Sequence, residues 1–318
     1  MVMVYVLFVI GIYLLIKGAD WIVDGASSLA KRIGVSSLII GLTVVAFGTS
    51  LPELIVNVFA ALSGSAEVSF GNIVGSNIAN ILFVLGITAI VGEVWVKNET
   101  VWKQIPFALL AAFVFFVLSS KIFFGDGNVF GRSDGLILLG LFVMFLYYVF
   151  QMAKKDGARI GFPEDVNEKT FKIIFKLIFG MVGIYFGGKW VVEGAIFFAS
   201  MFGLSEFLIS ATIIAMGTSL PELVVCVVAV LKKKSSLAVG NIIGSNIFNI
   251  LWVFGIIPFI APLQTPGFVI FDIAIMFLAT LLLFIFMFVG PKHKLSRKDG
   301  IVFVLFYVLY IAYIIVRG

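Results

Sequence analysis

The sequence predicts an all-α membrane protein with ten transmembrane helices in two inverted five-helix repeats, and three observations carry that prediction. The first is composition: of 318 residues, 62% are hydrophobic and 12% charged, against roughly a quarter charged in a soluble domain. So much apolar surface requires lipid as its solvent. The second is a series of ten apolar stretches, each long enough to cross a bilayer. The third is internal: a shift of 169 residues superimposes residues 41–86 on 210–255 without a gap, with 25 of 46 positions identical.

The spans, numbered in order, fall near 3–26, 36–62, 68–92, 104–124, 133–152, 170–200, 205–231, 236–260, 267–290 and 300–316. Unpaired backbone groups are costly in hydrocarbon, so stretches of this length are helices, and the alternating ten-residue segments of a β-barrel are absent. Span one has no basic stretch ahead of it and no small-residue cleavage site, so it reads as a helix and not as a signal peptide. The 169-residue shift also pairs Trp21, Asp24 and Gly25 with Trp190, Glu193 and Gly194, placing the start of each repeat in spans one and six. Each repeat then holds five helices, and an odd number of crossings inverts the second copy. The domains are accordingly residues 1–152, a cytoplasmic connector over 153–169 that carries Gly157, Gly161 and Pro163, and residues 170–318.

Charge placement gives the orientation. The formal net charge is +5, and seventeen of 22 basic residues lie in the loops that follow the odd-numbered spans. Only Lys121, Arg132 and Arg317 lie on the other side, while Lys17 and Lys189 fall within spans. The positive-inside rule puts those odd loops in the cytoplasm and both termini outside the cell. The single cysteine, Cys226, excludes an internal disulfide and a cysteine metal cluster and reads as a packing residue.

Within spans two and seven the heptapeptide GTSLPEL recurs letter for letter at 48–54 and 217–223. Pro52 and Pro221 lack an N–H and clash with the carbonyl four residues back, which frees the carbonyls of Gly48 and Gly217 and breaks each helix. Leu51 and Leu220, each ahead of a proline, are expected to leave the helical region. Backbone broken at mid-membrane must be buried or line a polar cavity. The carbonyls over residues 46–49 and 215–218 are therefore candidate cation ligands, joined by the hydroxyls of Thr49, Ser50, Thr218 and Ser219. Glu53 and Glu222 follow in the first turn of the second half-helix, where the helix dipole favours a carboxylate. The set is a hard-oxygen cage suited to calcium or sodium, with no soft ligand for copper or zinc. Such helix ends can also hold an anionic substrate, but two converging glutamates argue against it.

A second repeated motif, GNIVGSNIAN at 71–80 and GNIIGSNIFN at 240–249, lies in spans three and eight. Asn72, Ser76 and Asn80 are four apart and share one helix face, as do Asn241, Ser245 and Asn249. Gly71, Gly75, Gly240 and Gly244 give the small-xxx-small spacing that lets helices approach closely.

On these two motifs the sequence resembles the cation/calcium exchanger superfamily, and within it the prokaryotic sodium/calcium exchangers. The resemblance implies ten helices, with spans two, three, seven and eight around four cation sites and spans one and six as a pair that slides to switch access. It implies a calcium site of the Glu53 and Glu222 carboxylates with the Thr49 and Thr218 carbonyls. Sodium sites would add Ala46, Ser50, Ser76, Ala215, Ser219 and Ser245, with Asn80 and Asn249 at the middle position. Several relatives have Asp where this chain has Asn249, and in potassium-dependent members an aspartate there is tied to potassium coupling. The difference points to potassium independence; two carboxylates balance one calcium, and several sodium ions carrying more charge would make exchange electrogenic, as in the family. No cofactor is implied beyond the transported calcium and sodium, and no partner beyond the lipid bilayer: no nucleic acid and no obligatory protein.

Three other readings are open at this point. A proton/calcium exchanger would use the same glutamates as proton carriers. A passive channel would use carbonyls and carboxylates as a filter. An intramembrane hydrolase is disfavoured, because the only histidine is His293, in a loop among lysines, and no HExxH occurs. Lys17, Asp20 and Asp24, with Lys189 and Glu193, read as interfacial pairs or as part of a gating surface; Asp126, Asp134 and Asp272 have no assigned role.

Overall fold

The computed structural model describes residues 2–120, 129–160, 168–202, 215–267, 269–289 and 292–317. Its elements are α1 (Val2–Ile33), α2 (Ser37–Thr49), α3 (Leu51–Leu62), α4 (Ala66–Val91), α5 (Thr100–Ser120), α6 (Arg132–Ile160), α7 (Thr170–Met201), α8 (Leu220–Leu231), α9 (Ser235–Ile260), α10 (Val269–Phe286) and α11 (Arg297–Arg317). Among the described residues eight helices are long and apolar enough to cross a membrane, or nine if the bent pair α2–α3 counts as one span. The first part of the expected span seven, residues 203–214, lies outside the described residues, leaving α8 as a shorter apolar helix behind the single turn Ala215–Gly217. The expected connector is partly helix, since α6 continues to Ile160.

Element boundaries follow the 169-residue repeat. Leu51–Leu62 corresponds to Leu220–Leu231, and Ala66–Ile78 to Ser235–Ile247. Next, α4 and α9 each widen into a π-type turn, over Ala79–Val84 and Phe248–Val253, before resuming as Leu85–Val91 and Phe254–Ile260. The regular helices expected of spans three and eight are corrected here, and two further π-type turns lie at Gly41–Val45 and Thr100–Gln104. Short antiparallel strand pairs stitch the repeats together: β1 (Val94–Trp95) pairs with β4 (Lys294–Leu295), and β2 (Val129–Phe130) with β3 (Leu263–Gln264).

Burial ranks the helices into layers. The apolar windows of α4 and α9 are 78% and 83% buried, whereas those of α6 and α11 are 28% and 22%, so α4 and α9 form the centre and α6 and α11 face lipid. Phe70 of α4, Phe115 of α5, Phe130 of β2 and Phe254 of α9 pack as a cluster with ring centroids 4.7–6.1 Å apart, the spacing at which aromatic pairs gain beyond area burial.

The longest helices, α1 and α7, pack antiparallel on each other through backbone. A Cβ built on Gly18 would stand 2.7 Å from the Gly180 carbonyl oxygen, and one on Gly187 2.8 Å from that of Gly11. At the end of this pair Glu168 bonds Lys176 of α7 at 2.5 Å and accepts a hydrogen bond from Ser28 of α1 at 2.9 Å. The Lys176 ammonium beside it holds the Glu168 carboxyl below the usual glutamate range. Lys232, just past α8, bonds both Asp20 and Asp24 of α1, the latter at 2.8 Å. Asp20 also pairs with Lys17. Lys189 and Glu193 of α7 make a longer contact of 3.9 Å within their own helix. Asp272, unassigned from sequence, accepts two hydrogen bonds from Arg317 at 2.8 and 2.9 Å.

The small-xxx-small expectation is met in α9. A Cβ on Gly240 would meet the Leu38 carbonyl oxygen at 2.6 Å, and one on Gly244 the Ala46 Cβ at 2.7 Å. Reciprocally, a Cβ on Gly41 would stand 2.6 Å from the Leu237 oxygen. In α4, nothing among the described residues comes within 4 Å of Gly71 or Gly75. The residues that correspond to 38–45 under the repeat are 207–214, which lie outside the described residues.

Candidate ion-binding site

The helix breaks where the repeated proline demands it, but one residue earlier than expected. Ser50 and Ser219 adopt φ −86°, ψ 3° and φ −88°, ψ 1°, while Leu51 and Leu220 already open α3 and α8. Proline fits the first helical turn, where its missing N–H would be unpaired in any case and no earlier turn meets its ring. The serine therefore absorbs the non-helical conformation, and α2 and α3 meet at 43°. Neither serine hydroxyl has a hydrogen-bond partner among the described residues, although both residues are buried.

This break sets the two carboxylates. Glu53 and Glu222 are fully buried, and Glu53 lies within electrostatic reach of Glu222. Among the described residues neither oxygen of Glu53 accepts a hydrogen bond. Glu222 accepts one, from the Ser245 hydroxyl at 3.2 Å, and its second oxygen accepts none from a described residue. Buried polar atoms are nearly always paired, so these orphaned oxygens are available to a ligand.

Around the carboxylates the repeats interlock. The Thr49 hydroxyl lies 3.2 Å from that of Ser245 and donates to the Asn241 side-chain oxygen at 3.2 Å. The counterpart contact joins the hydroxyls of Ser76 and Thr218 at 3.1 Å. Each repeat's threonine thus meets the other repeat's serine, tying α2 to α9 and α4 to the turn before α8. The Ala46 carbonyl accepts the Ser50 N–H at 3.0 Å, and the Thr49 hydroxyl also lies within 3.4 Å of it. Ala215 heads the turn before α8.

Asn80 and Asn249 sit at the second position of the two π-type turns, a distortion frequent at functional sites. Asn80 donates to the Asn246 side-chain oxygen at 3.0 Å; among the described residues its own oxygen and both polar atoms of the fully buried Asn249 have no partner. Sequence reasoning missed Asn246, which also donates to the Asn77 carbonyl at 3.2 Å. It missed Asn57 and Ser69 as well, both fully buried beneath Glu53. The available signal was polarity itself, since amides and hydroxyls inside an apolar span are costly unless they serve a partner.

Two cavities, of about 210 and 250 Å³, open between α7 and the break, and both are lined by Pro52 and Pro221. The first reaches Thr49 and the second Thr218. A larger recess of about 590 Å³, lined by Glu67 and Gln264 among others, touches none of the predicted site residues. Among the described residues no group of three or more His, Cys, Asp or Glu side chains could hold a metal. Any cation here would be held by two carboxylates with neutral oxygens, the donor set of hard ions.

The relatives of this chain in sequence and in structure agree. The family model described as sodium/calcium exchanger protein matches residues 3–151 and 172–316. The chain is 36% identical to the putative antiporter CaxA of Alkalimonas amylolytica, with 98% of each chain covered. It is 31% identical to the sodium/calcium exchanger MaX1 of Methanosarcina acetivorans, covering 96% of this chain and 97% of the other. A solved structure of the sodium-calcium exchanger NCX_Mj superposes with a TM-score of 0.82 at 31% identity, with 98% of each chain covered.

Proposed function

The chain belongs to the sodium/calcium exchanger protein family, and from that premise we propose that it is a secondary active antiporter exchanging sodium for calcium by alternating access. The family is one of transporters, so the chain is a multi-pass membrane carrier and not an enzyme. One observation carries the reading: two fully buried glutamates, one from each repeat, lie within electrostatic reach of each other, and three of their four carboxylate oxygens have no hydrogen-bond partner among the described residues.

In this proposal Glu53 and Glu222, with the Thr49 and Thr218 carbonyls, hold calcium. Sodium uses the same carboxylates together with Ala46, Ser50, Ser76, Ala215, Ser219 and Ser245, and Asn80 and Asn249 line the middle. Because the ligands are shared, each load evicts the other. Two negative charges match one calcium, and several sodium ions carrying more charge make exchange electrogenic. Moving the cage unloaded would carry two unpaired charges through a closed state, which is strongly disfavoured and suppresses leak. Ten helices in two inverted repeats of five, over residues 1–152 and 170–318, supply two related half-structures, and the antiparallel packing of α1 on α7 supports that inversion. Access switches as α1 and α7 move over the core, which requires the Lys232 contacts to Asp20 and Asp24 to open. Both termini face outward.

The test is calcium efflux from loaded vesicles under an imposed sodium or pH gradient. Sodium should drive efflux and carry net charge without potassium; efflux driven by pH and indifferent to sodium would reject this reading for proton/calcium exchange, which the donor-free Glu53 oxygens favour as the second choice. Asn249→Asp adds a third carboxylate to a position whose polar atoms are unpaired. It should keep the maximal rate within about tenfold, or 1.4 kcal/mol, while changing the sodium dependence. A folded but inactive variant in the same vesicle assay would remove Asn249 from the middle position.

A further inference from the structure

The two repeats support their glutamates differently. In the first, the Asn57 side-chain amide donates to the Glu53 backbone carbonyl at 2.8 Å, and the Asn72 amide from α4 donates to the same carbonyl at 3.4 Å. The Ser69 hydroxyl, also on α4, donates to the Asn57 oxygen at 2.7 Å. The amide orientation is forced: turned over, Asn57 would set its oxygen against a carbonyl, with no proton between them. Asn57 and Ser69 are fully buried, and their bonds fasten the first turn of α3 to α4, the helix that carries Ser76 and Asn80.

Under the 169-residue repeat, Asn57 corresponds to Cys226 and Ser69 to Ala238. There the Cys226 thiol donates to the Ala238 carbonyl at 3.5 Å and accepts from the Asn241 amide at 3.6 Å, both sulfur contacts and weak. Among the described residues no side chain donates to the Glu222 carbonyl. Asn241, the counterpart of Asn72, gives its amide to the Cys226 sulfur, and its oxygen accepts from Thr49 of the other repeat. Where the first repeat sets this amide on its own glutamate's backbone, the second sets it on a thiol.

We propose that Asn57, oriented by Ser69, is a positioning residue that fixes the backbone turn carrying Glu53 against α4, a brace that the turn carrying Glu222 lacks. The inference rests on the ion-binding reading above and deepens it. Bracing matters because a divalent ion gains most from ligands already in place, and a ligand that must be ordered on binding costs affinity.

The test converts the first repeat to the chemistry of the second. Asn57→Cys combined with Ser69→Ala should raise half-saturating calcium about three- to tenfold, the worth of one or two buried hydrogen bonds, with the maximal rate changed less than about twofold. Asn57→Ser, whose hydroxyl can donate to the carbonyl four residues back, should recover at least about half of that loss. An unchanged half-saturation in the folded double variant would overturn the proposal, as would a fall in maximal rate that Asn57→Ser does not restore. If the double variant fails to fold, Ser69→Ala alone removes only the hydroxyl that orients Asn57, and a twofold or larger rise is expected; no rise overturns the assignment. The calcium concentration that half-maximally raises Tm in detergent, measured without any gradient, reads the same shift. Calcium stabilisation of the unaltered protein without sodium-driven flux would count against the exchange reading while leaving the positioning measurable.

Discussion

Glu53→Ala and Glu222→Ala should each reduce sodium-driven calcium uptake at least about a hundredfold. Removing one partner of a buried charged assembly costs about 3–5 kcal/mol, and about 2.7 kcal/mol is already a hundredfold in affinity. The measurement is radioactive calcium uptake into vesicles, with size-exclusion profiles confirming the fold. A second readout separates binding from structure. Both carboxylates are buried, and Glu53 accepts no hydrogen bond from the described residues, so either substitution should leave the ion-free Tm unchanged or raised, and calcium should no longer increase it. Near-normal uptake by one variant would remove that glutamate from the cage. A large fall in ion-free Tm would show that the residue holds the fold instead.

Gly240→Val should cost about 3 kcal/mol or more of stability and yield little monodisperse protein. A Cβ there would stand 2.6 Å from the Leu38 carbonyl oxygen and 3.1 Å from the Leu42 nitrogen. Both are backbone atoms, so no rotamer change relieves the clash, and overpacking of this kind costs about 1–3 kcal/mol even where side chains can move. The reciprocal substitution, Gly41→Val, meets the Leu237 oxygen at the same 2.6 Å and should behave alike. Gly140→Ala is the control: a Cβ built there meets no packed neighbour within 4 Å among the described residues, and its Tm should shift by no more than the equivalent of about 0.5 kcal/mol. A well-folded Gly240→Val protein would show that α2 and α9 can separate.

How much of this was legible in the sequence depended on whether the signal was local. Apolar spans, the proline breaks and the paired glutamates were readable because each is written in a few adjacent letters and then written again 169 residues later. The shift of the break from Leu51 to Ser50 was not, since local rules restrict the residue before proline but do not say which neighbour yields. The π-type turns at Asn80 and Asn249 were invisible because no residue type marks an extra residue in a turn. Contacts between distant positions were also hidden: nothing near Lys232 names Asp20 or Asp24, and nothing near Asp272 names Arg317. Asn57 was in plain view as an amide in an apolar run, but its purpose depended on Ser69 reaching it from the next helix. The spacing of Gly71 and Gly75 matched that of Gly240 and Gly244, yet only the latter pair meets a close neighbour among the described residues.

The glycine contacts between α1 and α7 have a further implication. Gly11 corresponds to Gly180 and Gly18 to Gly187, so Gly11 against Gly187 and Gly18 against Gly180 are one contact made twice about a local twofold axis. That is the self-complementary arrangement of an isologous homodimer, here folded into a single polypeptide. In a true homodimer every substitution near the axis would be imposed on both subunits. Joining the copies lifts that constraint, and the chain uses the freedom: Cys226 faces Asn57 across the symmetry, and Lys232 stands where the other copy has Ser63.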